Sequence, residues 1–263
     1  MMDCRTLFLA WQDKARTRKW FPVGQLDVLN CSSLYHFQYT GGAEDAQKET
    51  GFMPLYDFPD FHKSYESSEL FPLFKNRVLA PGRPDFQAYL KQLALPEQAD
   101  PVEILSVDGG YRTTDSFEVF PKIERGEDGA FRCRFFLHGW KQHISGTAQE
   151  RIEALMENEE LYVTIELTNP STQLAVQIQT QDYHMIGWAP RYLLNDLVRA
   201  ISEAPGDYKA KVVRINSAPA PSKQRVLIEL SGHWPDDYQP MNAREFKPFS
   251  AHSDQPHPKI SSS

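Results

Sequence analysis

Asp57, Asp60 and His62 stand close together, and two carboxylates beside an imidazole would suit a divalent cation. Their setting argues for something plainer. They sit in GFMPLYDFPDFHKSY (Gly51–Tyr65), an aromatic and proline-rich run of the kind that packs as an ordered loop over a sheet. His138 and His143 are five positions apart and His184 falls in a turn; no carboxylates cluster near them, so a metal site is not expected. No P-loop, kinase signature or G-x-S-x-G motif occurs, and Gly109-Gly110 reads as a helix stop rather than a phosphate loop. One basic run remains, Lys14, Arg16, Arg18 and Lys19, in a short connector. It reads either as a solvated hairpin tip or as a contact for phosphate or an acidic partner. These residues point to a binding protein rather than an enzyme.

The elements that must position such residues belong to a chain of 263 residues, enough for one large or two modest domains. A hydrophobic content of 41%, with 12% aromatic, supplies packed cores and argues against wholesale disorder. The net charge of −7 offers no global attraction for nucleic acid, so any such binding needs a local patch. Over Ala130–Ser231, 11 Lys and Arg balance 11 Asp and Glu, which leaves the acidity elsewhere. Cys4, Cys31 and Cys133 are far apart and odd in number, which fits a reducing cytoplasm better than a disulfide framework. Neither a signal peptide nor an apolar run of membrane-spanning length is seen.

Along the chain, Thr6–Gln12, Trp20–Leu29 and Ser33–Tyr39 read as a β-meander; in the third strand Tyr35, Phe37 and Tyr39 share one face by the period of two. Helices are expected at Gly41–Glu49, Ser68–Val78, Asp85–Ala94 and Asp100–Val107, the last opened by an Asp-Pro cap. Strand Ser116–Ile123 follows, and the polar segment Glu124–Gly129 marks a boundary. Then come strand Phe131–His138, helix Ala148–Glu157, and the run LYVTIELTNPSTQLAVQIQTQDYHMIGWAPRYL at Leu161–Leu193, which reads strand, Asn-Pro turn, strand, polar turn, strand. Helix Arg191–Glu203, burying Leu194, Leu197, Val198 and Ile201, is followed by the antiparallel pair Tyr208–Asn216 and Gln224–Ser231. From Pro235 the composition predicts a disordered tail.

Val23-Gly24-Gln25-Leu26, then Phe37 and Tyr39, LFPLFKNRVLAPG at Leu70–Gly82 and DPVEILSVDGG at Asp100–Gly110 together resemble the N-terminal domain of the HipA family, the piece that precedes the kinase in those toxins. Ala80-Pro81-Gly82 stands where the family has an acidic residue before the glycine, and the kinase itself is missing. This resemblance implies a protein that docks onto a separately encoded kinase or toxin, as in a toxin–antitoxin pair.

The strand ending in Asn169-Pro170, the Ala-Val strand and IGWAPRYL are similar to the HIRAN domain, over about Phe131–Ser231. That family is implied to grip the 3′ end of single-stranded DNA. Trp188 and Arg191 fall where it places a ring and a basic residue near the DNA, Asn169 and Pro170 match its turn, and Trp140, Lys141 and His143 are candidates on the first strand. Ser171 and Thr172 replace the aromatic that stacks a base and the aspartate that holds the terminal sugar hydroxyl. Stacking on Trp140 or Trp188 would contribute about 1–3 kcal/mol per base, and Lys141 and Arg191 would neutralise phosphates.

The expectation is therefore an α+β protein of two small modules, each a mainly antiparallel sheet or partly open barrel with a few helices. A HipA N-terminal-like domain would span 1–123 and a HIRAN-like domain 130–234, with a disordered tail at 235–263. It would be cytoplasmic and non-catalytic, with no cofactor and no membrane, and would bind single-stranded DNA or a DNA end; the alternative partner is a kinase or toxin protein.

Overall fold

The computed structural model describes residues 4–29, 34–140, 146–170, 172–218 and 220–249. The first module contains β1 (Cys4–Gln12), β2 (Trp20–Leu29), β3 (Leu34–Tyr39), α1 (Gly41–Thr50), β4 (Tyr65–Ser67), α2 (Pro72–Lys75), α3 (Phe86–Gln92), α4 (Pro101–Asp108) and β5 (Phe117–Pro121). Its strands form one antiparallel sheet in the order β4-β3-β2-β1-β5. Phe37 and Tyr39 point inward as the alternation requires. The aromatic loop covers them: the Phe37 and Phe58 rings stack at 3.8 Å, and the Tyr39 hydroxyl donates to the Phe58 carbonyl at 2.7 Å. Within this loop Asp60 accepts from the His62 amide at 2.9 Å and closes a turn.

Asp100 caps α4 through the Val102 and Glu103 amides while Glu103 reaches back to the Asp100 amide, and Gly109 ends the helix in the left-handed conformation. The helix expected over Ser68–Val78 is only one turn long. Proline forces Phe71 into an extended conformation, so a helix can start no earlier than Pro72.

The second module contains β6 (Ala130–Phe136), α5 (Thr147–Glu153), β7 (Glu160–Asn169), β8 (Gln173–Thr180), β9 (Met185–Trp188), a 3₁₀ turn at Arg191–Leu193, α6 (Leu194–Glu203), β10 (Lys209–Ile215) and β11 (Val226–His233). The order is β6-β11-β10-β7-β8-β9, again antiparallel. The two ends of this sheet meet at one bridge: the His138 amide donates to the Trp188 carbonyl at 3.0 Å, and the Trp188 amide donates back at 3.1 Å. The sheet does not close into a barrel.

The architecture is α+β with two sheets, as the residue pattern predicts. The hydrophobic core, however, does not divide at the expected boundary. Phe8, Ala10, Phe120 and Ile123 of the first module pack in one cluster with Phe131, Val176, Leu197 and Ile228 of the second. A smaller cluster joins Leu90 and Ile104 to Phe136 and Leu227.

The segment from Pro235 to Phe249 differs from the disordered tail that its composition predicts. Met241 and Phe246 are buried, the Phe246 ring lies 5.1 Å from Phe8, and Phe249 stacks on Phe61. Buried Asp196 accepts from the Tyr238 hydroxyl at 2.6 Å and the Met241 amide at 3.0 Å, tying the segment to α6. A few apolar side chains, each worth about 1.5–3 kcal/mol when buried, outweigh the polar background. Residues 250–263 of the expected tail lie outside the described residues. Among the described residues no helix is long and apolar enough to cross a membrane.

Candidate nucleic-acid cleft

The bridge between His138 and Trp188 brings together segments about fifty residues apart in sequence, and a cleft of about 490 Å³ opens beside it. Three backbone features build its walls. β9 reaches the bridge only because Gly187 (φ 152°) leaves room there; a Cβ at that position would stand 2.6 Å from the Leu137 side chain and 2.7 Å from the His138 carbonyl. The turn between β7 and β8 is held by Asn169, whose side-chain Oδ1 accepts from the Thr172 amide at 3.1 Å and hydroxyl at 3.0 Å. Pro190 then starts the 3₁₀ turn that presents Arg191.

Asn169, Trp188 and Arg191 all line this cleft. Trp188 is half-buried, and its indole N–H donates to Glu166 Oε2 at 2.8 Å. The Asn169 amide donates to the same carboxylate oxygen at 2.9 Å. Burial would raise the Glu166 carboxyl, but the hydrogen bonds from Asn169, Trp188 and Gln177 outweigh it and hold Glu166 below its ordinary value. Glu166 is thus a charged brace that orients the Trp188 ring, and Asn169 serves the turn. Arg191 is exposed and donates to the Arg18 carbonyl at 3.4 Å, a long contact that leaves most of its donors available.

Trp140 is a correction. It is only 8% exposed, its N–H donates to the Ser222 carbonyl at 2.8 Å, and the Arg225 guanidinium lies 5.8 Å from its ring. An indole buried in this way packs the core and offers no face to a base. Lys141 and His143 lie outside the described residues.

Several lining residues escape a sequence reading: Trp20 at the start of β2, His138 at the bridge, Leu174 on β8, and Lys223 in the connector between β10 and β11. The basic run of the first connector comes to the same place. Arg18 lies beside Arg191, and Lys14 donates to the Asp115 carbonyl at 2.6 Å near Lys223. Among the described residues, no carboxylate forms an ion pair with Lys14, Arg18, Arg191 or Lys223. The like charges register on one another. Burial and then Arg18 lower Arg191; burial and then Lys14 lower Lys223 against the attraction of Glu118. Burial, Lys223 and Arg191 likewise depress His138 against Glu118.

His138 and Lys223 also form the wall between this cleft and a smaller cavity of about 120 Å³ lying between the modules. Glu118 and Asp108 stand on the far side of that wall. Glu118 accepts from the Tyr192 hydroxyl at 3.1 Å and is 3.6 Å from His138 Nε2. Burial pushes Asp108 up to about 6, despite hydrogen bonds from Tyr89, Gln224 and the Gly110 backbone. Cys133 lines the same cavity; burial and Glu229 push its thiol up to about 12, so it is inert at neutral pH.

No family model matches the chain, and no curated protein matches it. A solved structure of a protein from Lactobacillus plantarum aligns with 41% of this chain and all of its own length, at 14% identity and a TM-score of 0.32. A likeness at that level carries no argument, and these comparisons lend support to neither resemblance read from the sequence.

Proposed function

We propose that the chain is a non-catalytic binding protein whose cleft takes single-stranded DNA, at a strand end such as the 3′ terminus. One observation carries this reading: an open cleft lined by the Trp188 indole also holds Arg191 and Lys223, which form no ion pair with a carboxylate among the described residues, with Arg18 at its edge. Stacking on an aromatic face and neutralisation of phosphate are the two interactions that hold a single strand without reading its sequence. A duplex fits less well, because its bases are already stacked on one another.

Fluorescence anisotropy with a labelled single-stranded oligonucleotide and its duplex, each at two salt concentrations, tests this. The expected outcome is tighter binding of the single strand that weakens with salt, and a loss of about 5- to 100-fold in Trp188→Ala. Absence of binding at low salt sinks the proposal.

A second reading, docking onto a separately encoded kinase or toxin, is favoured by apolar side chains left exposed around the hairpin of β7 and β8. Tyr162 and Tyr183 have their rings 5.7 Å apart, and Leu167 is also exposed. Co-purification with the products of adjacent genes decides it, and a protein that always purifies alone counts against it.

A further inference from the structure

Among the described residues, about half of the lysines and arginines pair with carboxylates. Arg77 meets Asp115, Arg151 meets Glu159 and Asp182, and Arg244 meets Glu44 and Asp45. At the inner end of the cleft the arrangement is reversed. Lys223 and His138 share one wall, Arg191 faces the same space, and Arg18 and Lys14 stand behind Arg191 and Lys223 respectively. Lys223 lies 3.6 Å from the Tyr111 ring centroid, a contact that holds an ammonium without an ion pair.

Two carboxylates come near this group. Glu118 is engaged by the Tyr192 hydroxyl and stands 3.6 Å from His138 Nε2, so it balances part of the charge of this wall from its far side. Glu166 lines the cleft but is engaged by the Trp188 indole and the Asn169 amide. Folding has therefore brought several like charges together at a cost in mutual repulsion, and an anion of more than one charge would relieve it. Like charges that the described carboxylates balance only in part identify the chemistry of a fitting ligand.

We propose that the inner end of the cleft is a site for a phosphate monoester, formed by Lys223, Arg191 and His138, and that a strand bound there presents a phosphorylated terminus rather than a terminal hydroxyl. This rests on the single-strand reading for the identity of the strand, but the phosphate site stands on its own charges. A monoester carries about −1.5 to −2 charges and three acceptor oxygens, against the single charge of an internal phosphodiester.

Binding of otherwise identical single strands carrying 5′-phosphate, 3′-phosphate or hydroxyl ends is the test, in the intact chain and in Lys223→Gln and His138→Gln. Thermal shift with inorganic phosphate runs alongside. The expected result is a preference of about tenfold for one phosphorylated end over hydroxyl, falling below about twofold in Lys223→Gln. Unchanged melting temperatures of the variants without ligand show that the loss is not unfolding; if either variant unfolds, inorganic phosphate competing with the phosphorylated strand on the intact chain supports the site, and failure to compete counts against it. Strands that bind equally whatever their ends overturn the phosphate site and leave the single-strand reading intact. A stabilisation by inorganic phosphate, lost in Lys223→Gln, with no strand binding at all keeps the site and removes the strand. No response to any of these probes removes both.

Discussion

Three cations surround Glu229 in the middle of the second sheet, whereas at the cleft cations gather around open space. At Glu229 the strand register does the work: Arg134 on β6 and Lys211 on β10 lie directly across from it, and Arg132 approaches from two residues along. The carboxylate is buried, Arg134 and Lys211 are half-exposed and Arg132 is exposed, so charge is balanced within the fold. At the cleft, Lys14, Arg18, Arg191 and Lys223 come from three loops and turns rather than from paired strands, and among the described residues none of them forms an ion pair with a carboxylate. A charge cluster completed by its own sheet serves stability. One left incomplete by loops is suited to a ligand.

The largest expected break in this contrast comes from Gly187→Ala. The added Cβ meets the Leu137 side chain and the His138 carbonyl, so β9 must pull away from the bridge. Chemical denaturation is expected to show a loss of about 3 kcal/mol. Strand binding is expected to fall with it, because the bridge sets one wall of the cleft.

Arg134→Ala probes the completed cluster. It withdraws the 2.8 Å partner from a buried carboxylate and leaves Glu229 to Lys211 and the more distant Arg132. A loss of about 2 kcal/mol is expected, with strand affinity unchanged. The hydrogen bonds to Arg134 and Lys211 hold Glu229 below its ordinary value against burial, so this contribution is present at neutral pH and is lost on acidification.

Asp108 is the opposite case, a carboxylate with no cation partner among the described residues. Its folded-state value of about 6 lies above the ordinary 3.8, so the folded state prefers it protonated. Its contribution to stability is therefore full below about pH 4 and is lost as the pH rises through about 6. Asp108→Asn is expected to be more stable than the parent by about 2 kcal/mol at pH 8, with the difference vanishing near pH 4. Melting temperatures of both proteins across that range check the sign.

The smallest effect sharpens the contrast most directly. Arg191→Ala removes a cation that forms no ion pair among the described residues, so its stability is expected to stay within about 0.5 kcal/mol of the parent. Its affinity for single-stranded DNA is expected to fall about 5- to 10-fold, with a shallower salt dependence. A stability loss matching that of Arg134→Ala would erase the distinction between the two clusters.

Much of the fold is legible locally. The alternation of Tyr35, Phe37 and Tyr39 predicts β3 and its inward face, the Asp100-Pro101 cap predicts α4, and the run through Asn169-Pro170 to Trp188 predicts three successive strands. Each depends on neighbours within a few positions, where sterics and hydrogen-bonding geometry act directly on the chain. Asn169, Trp188 and Arg191 are likewise brought to one cleft because a single hairpin and turn carry them.

Only the tertiary structure decided the rest. Trp140 has the residue type for stacking, but the carbonyl of Ser222, from a distant connector, takes its N–H and the core takes its ring. Lys223 and the basic connector of Lys14 and Arg18 carry no periodic signal, and they reach the cleft because two sheets share one core. The segment 235–249 is polar on average, yet Met241 and Phe246 find buried places on elements separated from it by most of the chain. Composition and periodicity report what a residue contributes to its own element. Burial and charge balance are set by what that element meets, and most of those partners are far away in the sequence.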